Sequence, residues 1–275
     1  MKLSLITATH YRVSKLANIA LPSILAQTSH NFEWVIINDG FDLATRDFVA
    51  KIQANFDIIY TEIKHDSTGF SLCHARNKGL EMARGQVVAY LDDDNNLSPQ
   101  FVSEVLKFFQ DHPQIKCTLQ QQFCRRDIVR NGQTVRQGKP FISPASDTTA
   151  VSLLGQRDIF DSNGFCHVLD DAPRWNPNYR IFADYEYFVQ CLSRWGTEKF
   201  LLNPLILVNY TQTSEGIIGR SHYGEWAFEL SQLFGQVEQY SVLQNLEMQT
   251  KLIQLISLYH EKHQKGQKIP GFCEE

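Results

Sequence analysis

An apolar run ending in three consecutive carboxylates constrains this 275-residue chain more than any other stretch. Gln86-Val87-Val88-Ala89-Tyr90-Leu91 reads as a buried strand, and Asp92, Asp93 and Asp94 follow it directly. A short strand without polar alternation is covered on both faces, as in a parallel α/β sheet. Extended chain alternates its side chains, so Asp92 and Asp94 are expected on one face and Asp93 on the other. Two carboxylates side by side at a strand's carboxyl end repel each other unless a cation lies between them. Hard oxygen ligands of this kind suit Mg²⁺ or Mn²⁺ carrying a substrate's phosphates.

Two other readings compete for the triplet. Asp92, Asp94 and Asn96 open like an EF-hand loop, but Leu97 stands where its glycine is needed and Ser103 where its glutamate belongs. The plainer reading is a polar strand end capping the next helix, with Ser98 as N-cap and Pro99 at the first helical position. That capping is expected in any case, and it leaves the acids unexplained.

The same texture repeats upstream. Leu3–Ala8, Glu33–Ile37 and Asp57–Tyr60 read as strands, with helical patterns through Leu16–Leu25 (interrupted near Pro22) and Leu43–Ala54. A third helix over Cys73–Met82 precedes the acid-tipped strand. Alternation of this kind implies right-handed crossovers and a largely parallel sheet, whose ligands bind at the carboxyl ends of the strands. The polar clusters at 7–12, 38–40 and 92–96 all fall at such ends.

Beyond Asp111 the pattern changes. Lys116–Phe123 is strand-like, and Asn131-Gly132 marks a hairpin between Ile128–Arg130 and Val135. Val151–Phe160 reads as strand then helix, and Asp170–Tyr179 as an ordered loop lining a site. A helix over Asp184–Trp195, a strand over Phe200–Tyr210 and a mobile loop over 211–220 follow. Long amphipathic helices run from about Glu225 to His260, their apolar positions serving the core or a homodimer contact.

Composition narrows the function classes. A hydrophobic content of 43% with 20% charged residues describes a soluble globular chain of one large α/β domain or two small ones. The net charge of -4 argues against a nucleic-acid partner gripped by a basic surface. An acidic protein that handles phosphates needs local positive charge, which a bound metal can supply. The six cysteines form no CxxC pair or zinc spacing, which fits free thiols in a reducing cytoplasm. Met1-Lys2 leads straight into a strand, and no apolar run approaches transmembrane length. The expected location is cytoplasmic, with room for peripheral contact at the inner face of a membrane.

Four stretches, taken in order, resemble the family 2 glycosyltransferases of the GT-A fold over roughly residues 1–210. Ser4-Leu5-Ile6-Thr7-Ala8-Thr9 is similar to the family's opening strand and nucleoside loop, and Glu33–Gly40 to its second strand and acidic turn. Ala75-Arg76-Asn77-Lys78-Gly79 matches its Ala-Arg-Asn helix, and Leu91-Asp92-Asp93-Asp94 its DxD motif. A looser match is Asp161–Phe165, followed by Asp184-Tyr185-Glu186. The resemblance implies a Rossmann-like, mostly parallel sheet flanked by helices. It divides the chain into a GT-A domain at 1–215 (nucleotide half 1–96, acceptor half 97–215) and a C-terminal helical extension at 216–275.

The family implies metal-dependent, inverting transfer from a nucleotide-sugar, UDP by family frequency, to a saccharide or glycolipid acceptor in bacterial surface polysaccharide synthesis. Carried onto this chain, Thr7, Ala8 and His10 fall in the nucleoside loop, Asp39 accepts from the base, and Arg76 donates to a base carbonyl. Asp92 and Asp93 reach the nucleotide-sugar, Asp92 and Asp94 hold Mn²⁺ or Mg²⁺ with His222 as a third ligand, and Asp184 is the general base. Departures from the family pattern bear on the acceptor half more than on the nucleotide half. Asn38 and Tyr11 replace the family's Asp and Asn, Ala183 replaces a common Glu before the base, and Thr211 stands where many members carry Arg.

Plainer roles exist for several of these residues. Asp184 could be a helix N-cap, leaving Asp170 or Asp171 as base, and Glu186 is a poor substitute because residues two apart do not share a helix face. Trp175 and Tyr179 could stack on a sugar or simply pack. Two other functions compete: a non-catalytic nucleotide-sugar-binding subunit, and a sugar nucleotidyltransferase, which needs a glycine-rich loop that Thr7–Arg12 lacks.

Overall fold

The computed structural model describes residues 1–155 and 160–272. Its strands are β1 (Leu3–Thr9), β2 (Phe32–Asp39), β3 (Asp57–Ile63), β4 (Val87–Tyr90), β5 (Asn96–Leu97), β6 (Cys117–Arg130), β7 (Gln133–Arg136), β8 (Phe141–Ser143), β9 (Phe165–Val168) and β10 (Asn203–Thr213). They form one sheet in the order β3-β2-β1-β4-β9-β6-β10-β5, with β7 and β8 paired to β6. The first four are mutually parallel, and β9 runs antiparallel to β4 and β6. From β1 the chain steps to one side for β2 and β3, then crosses to the other for β4. That reversal opens a crevice beyond the carboxyl ends of β1 and β4, where open α/β sheets bind ligands.

Register explains the unbroken apolar runs. Leu5 lies opposite Trp34 and Ala89, and Ile6 opposite Val35 and Tyr90. The first trio joins one buried apolar cluster and the second trio the other, so both faces of the sheet are covered. The helix Ser71–Met82 sits so close to β1 that a Cβ on Gly79 would come within 2.4 Å of Ile6 Cγ2. This close seat brings Arg76, on the same helix, over the strand ends.

Local starts and stops differ from the sequence reading where a distant group intervenes. The helix after the acid triplet begins at Phe101, with Gln100 rather than Ser98 as N-cap. Its first turn is satisfied from afar, because Val102 N donates to Gln27 Oε1 at 3.0 Å. The first helical stretch continues through Pro22, with a π-turn over Leu16–Ala20. A wider turn there accommodates the proline ring against the carbonyl four residues back. The strand expected after Val151 is a helix, Ala150–Leu154, nucleated by a capping box between Thr149 and Ser152. The rest of that segment, 156–159, lies outside the described residues. Residues 211–213 extend β10 beside Arg125, Arg126 and Asp127, and Ile217–Arg220 forms a short helix, so the expected loop is largely structured.

The hairpin turn at Asn131-Gly132 is as expected, both residues having positive φ, 51° and 76°. Cys73, Cys117, Cys124, Cys166 and Cys191 are free and buried. The helices Tyr223–Phe234 and Leu246–Gln264 pack Ala227, Leu230, Leu252 and Tyr259 into the same cluster as Tyr185 and Phe188. Among the described residues, no helix is long and apolar enough to cross a membrane.

Candidate active site

The ends of β1, β2 and β4 enclose a cavity of about 170 Å³ whose wall includes Ala8, His10, Arg12, Asp39 and Asp93. Asp39 ends β2 and is 4% exposed. His65 Nδ1 donates to its Oδ2 at 2.9 Å, and its Oδ1 is buried without a hydrogen-bond partner. His10 Nδ1 donates to the Asp39 carbonyl at 2.5 Å, and the two imidazoles stack with centroids 4.5 Å apart. The side-chain donor atoms of His10, Asp39 and His65 all fall within 4.8 Å, a spacing that would admit a metal. A carbonyl or a carboxylate oxygen can only accept, so in this arrangement both Nδ1 atoms carry protons and any lone pair for a metal lies on Nε2.

The acid triplet does not continue the strand. β4 stops at Tyr90, and Asn95 N closes a turn onto the Asp92 carbonyl at 3.2 Å. Asp92 and Asp94 therefore part company, correcting the alternation expected of extended chain. Asp94 and Asp93 share Arg12, the latter at 3.2 Å. Asp93 is buried, accepts from Thr9 Oγ1 at 2.8 Å, and is pushed up to about 7 by desolvation, against the pull of Arg12.

Asp92 faces a second cavity, of about 330 Å³, with Arg76, Asp161 and Asp184. Arg76, 3% exposed, donates to Asp184 Oδ1 at 2.7 Å, Asp92 Oδ1 at 3.1 Å and Ser162 Oγ at 2.6 Å. Its guanidinium lies over the Trp175 ring, 4.4 Å from the centroid. Both terminal nitrogens of Arg76 are thus engaged with the second cavity's residues rather than with Asp39. Asp184 follows the first residue of the helix Ala183–Trp195, whose N-cap is Phe182 without a side-chain bond, so Asp184 is not the N-cap. Burial raises its affinity for a proton, Arg76 lowers it, and the charge of Asp92 raises it again.

Two segments hold this arrangement. Asn163 Oδ1 accepts from Asp92 N at 2.6 Å, while its Nδ2 donates to Asp92 Oδ2 at 3.1 Å and Asp161 Oδ1 at 2.7 Å. Asp161 is itself raised by burial, then by the charges of Asp184 and Asp92. From the C-terminal helices, the buried Glu229 carboxylate accepts the backbone N–H groups of Arg180, Ile181 and Phe182. Those residues lead directly into the helix that presents Asp184.

Other expected residues lie elsewhere. Thr7 is fully buried and its Oγ1 accepts from Trp34 Nε1 at 2.9 Å, so its side chain belongs to the core. His222 caps the helix Tyr223–Phe234, its Nδ1 accepting from Glu225 N at 3.3 Å, and none of its described contacts reaches the acids. Asp170 and Asp171 are exposed and Asp171 pairs with Arg194, which removes them as rival bases. Trp175 is buried against Tyr187 at 4.0 Å, and Tyr179 is buried too, so both pack rather than stack on a sugar. Glu186 is buried and bonded by Tyr240 and Gln190. No local signal in the sequence singles out Arg12, His65 or Glu229, while Ser162 and Asn163 fall within the looser resemblance at Asp161–Phe165.

A family model described as Glycosyl transferase family 2 matches residues 4–176. The chain is 32% identical over 92 residues to TuaG of Bacillus subtilis (strain 168), a glycosyltransferase assigned to teichuronic acid biosynthesis, covering 32% of this chain and 34% of the relative. Residues 1–349 of S. aureus TarS in complex with UDP superpose with TM-score 0.65 at 16% identity, over 96% of this chain and 72% of that one. The mannosyltransferase PcManGT from Pyrobaculum calidifontis, in complex with GDP-Man and Mn²⁺, superposes with TM-score 0.61 at 12% identity, over 98% and 77%. These structural likenesses show a shared fold. The matched stretch spans 27% to 36% of the length of three curated relatives and as little as 18% of another.

Proposed function

This chain belongs to glycosyl transferase family 2, and from that membership we propose that it moves a sugar from a nucleoside-diphosphate sugar to a hydroxyl of a saccharide or glycolipid acceptor. One observation carries the reading: Arg76 joins Asp184 to Asp92 beside a cavity that Phe182, Tyr185, Trp226 and Tyr259 also line. Asp184 takes the acceptor's proton as its oxygen attacks the anomeric carbon, and the nucleoside diphosphate leaves from the opposite face with inversion. Asp39 offers its unpartnered Oδ1 to the base. UDP is the expected nucleotide and surface polysaccharide the expected product class, in keeping with the relatives' names and ligands.

The acids at the strand end supply hard oxygen donors for a divalent cation, though Asp92 and Asp94 must turn from Arg76 and Arg12 to share one. Asp92 and Asp94 are part-exposed oxygen donors, while the buried Asp93 Oδ1 faces Arg12 at 3.2 Å. Asp94, with Asp92, would hold Mn²⁺ or Mg²⁺, which when bound supplies Lewis-acid stabilisation of a departing diphosphate. Arg12, paired with Asp93 and Asp94 at the same crevice, adds positive charge for the diphosphate.

Thermal shift with nucleotide-sugars, with and without Mn²⁺, tests this, because a ligand that binds only the folded state raises Tm by mass action. The wild type is expected to show a Mn²⁺-dependent rise with its donor. Asp94→Ala should lose that rise while its ligand-free Tm holds, and a rise unchanged in the variant would remove Asp94 as metal ligand. Donor binding without transfer or slow donor hydrolysis would favour a non-catalytic nucleotide-sugar-binding subunit.

A further inference from the structure

We infer that His65 is a positioning residue that sets which nucleobase the donor carries, by fixing Asp39 so that the site takes a base with a ring N–H (uracil or guanine) over one with a bare ring nitrogen (cytosine or adenine). The inference rests on the nucleotide-sugar reading above. A carboxylate has two equivalent oxygens and, left free, turns to suit whatever faces it. Asp39 is not free: His65 Nδ1 binds Oδ2 at 2.9 Å, and His10 Nδ1 binds the residue's own carbonyl at 2.5 Å. The imidazoles brace each other by stacking, centroids 4.5 Å apart. The backbone is pinned too, since Gly40 N donates to the Ile63 carbonyl at 2.8 Å, two residues before His65.

One acceptor atom remains, the buried Oδ1, in a side chain that lines the crevice cavity. An acceptor held in place rewards a ring N–H and repels a ring nitrogen's lone pair. Sites built around a fixed, desolvated hydrogen-bonding group reject the analogue that cannot complete the bond far more strongly than adaptable ones do. His65 does not itself line the cavity, so its influence on the base passes through Asp39 and through His10, on which it stacks.

Calorimetric titration of wild type, His65→Ala and His65→Asn with UDP, CDP, GDP and ADP in the presence of Mn²⁺ tests the inference. The wild type should prefer UDP over CDP, or GDP over ADP. In His65→Ala affinity for the preferred nucleotide should fall about ten-fold, and the preference with it, the scale of one charge-assisted hydrogen bond. Affinity for the disfavoured partner and the ligand-free Tm should hold. His65→Asn, whose Nδ2 reaches Oδ2 from nearly the same place, should keep most of the preference. An unchanged preference in His65→Ala overturns the inference, as does an equal loss for all four nucleotides, which marks a residue that only shapes its loop. A wild type that binds none of the four removes the nucleotide-sugar reading, and this inference with it, before any variant is compared.

Discussion

Asp184→Asn is expected to lower kcat by about 10²–10⁴ while donor affinity holds, the usual worth of a positioned base. Asparagine keeps an oxygen for Arg76 and nearly the same shape, so the network that now joins Arg76 to Asp184 at 2.7 Å has an acceptor in the variant as well. What is lost is the capacity to take a proton, together with the negative charge facing Arg76 and the Oδ2 that accepts from Ser162 N at 3.4 Å. Helix capping does not complicate the test, because Phe182 and not Asp184 occupies the N-cap position. In the wild type, kcat should rise with pH through a value above the ordinary carboxylate range, since burial and the charge of Asp92 outweigh Arg76. Asp184→Asn should lose that limb of the profile. Transfer within a few-fold of wild type would move the base role to Asp161, which lines the same cavity and is also held above its ordinary range.

Residues 1–96 were legible because their signals are local. Strands such as Glu33–Ile37 announce themselves by uninterrupted apolar residues, and polar residues mark where each stops. The places of Asp39 and the acid triplet at strand ends followed from that pattern and from topology alone. Directions of side chains did not. Alternation placed Asp92 with Asp94, whereas a turn closed by Asn95 N delivers Asp92 to Arg76 and Asp94 to Arg12.

The second cavity rests on contacts between residues far apart in the chain, which no window of sequence contains. Arg76 and Asp184 are 108 positions apart, and Asn163 reaches back 71 positions to Asp92. Ser98 looked like an N-cap because nothing nearby revealed that Gln27, 75 residues before Val102, serves the helix start. His222 looked like a ligand because its partner, Glu225 N, makes a cap only once the helix exists. In each case an ordinary tertiary hydrogen bond replaced the locally favoured explanation.

Arg76→Met should produce the largest loss of stability, and one that depends on pH. The guanidinium, 3% exposed, is the cation bonded to both Asp92 and Asp184, with Asp161 close by in the same cavity. Removing one partner of a buried ion pair typically costs about 3–5 kcal/mol, because the other charge is left uncompensated. At ~2–4 °C per kcal/mol for chains near this size, Tm should fall by about 10 °C at pH 8. The sign of the pH effect follows from the carboxyls. Asp184 and Asp161 already hold their protons more tightly when folded than when unfolded, and loss of Arg76 removes the influence that lowers Asp184. Groups raised on folding contribute stability fully below their unfolded value and lose it as pH climbs through the folded one. The deficit should therefore be small near pH 5 and grow toward pH 8. Methionine preserves length and can still lie on Trp175, so a deficit equal at all pH values would indicate lost packing and sink the electrostatic account. Arg76→Lys should recover much of the stability, since the charge returns. It should not recover turnover, because one ammonium lacks the planar fork that now spans Asp184, Asp92 and Ser162.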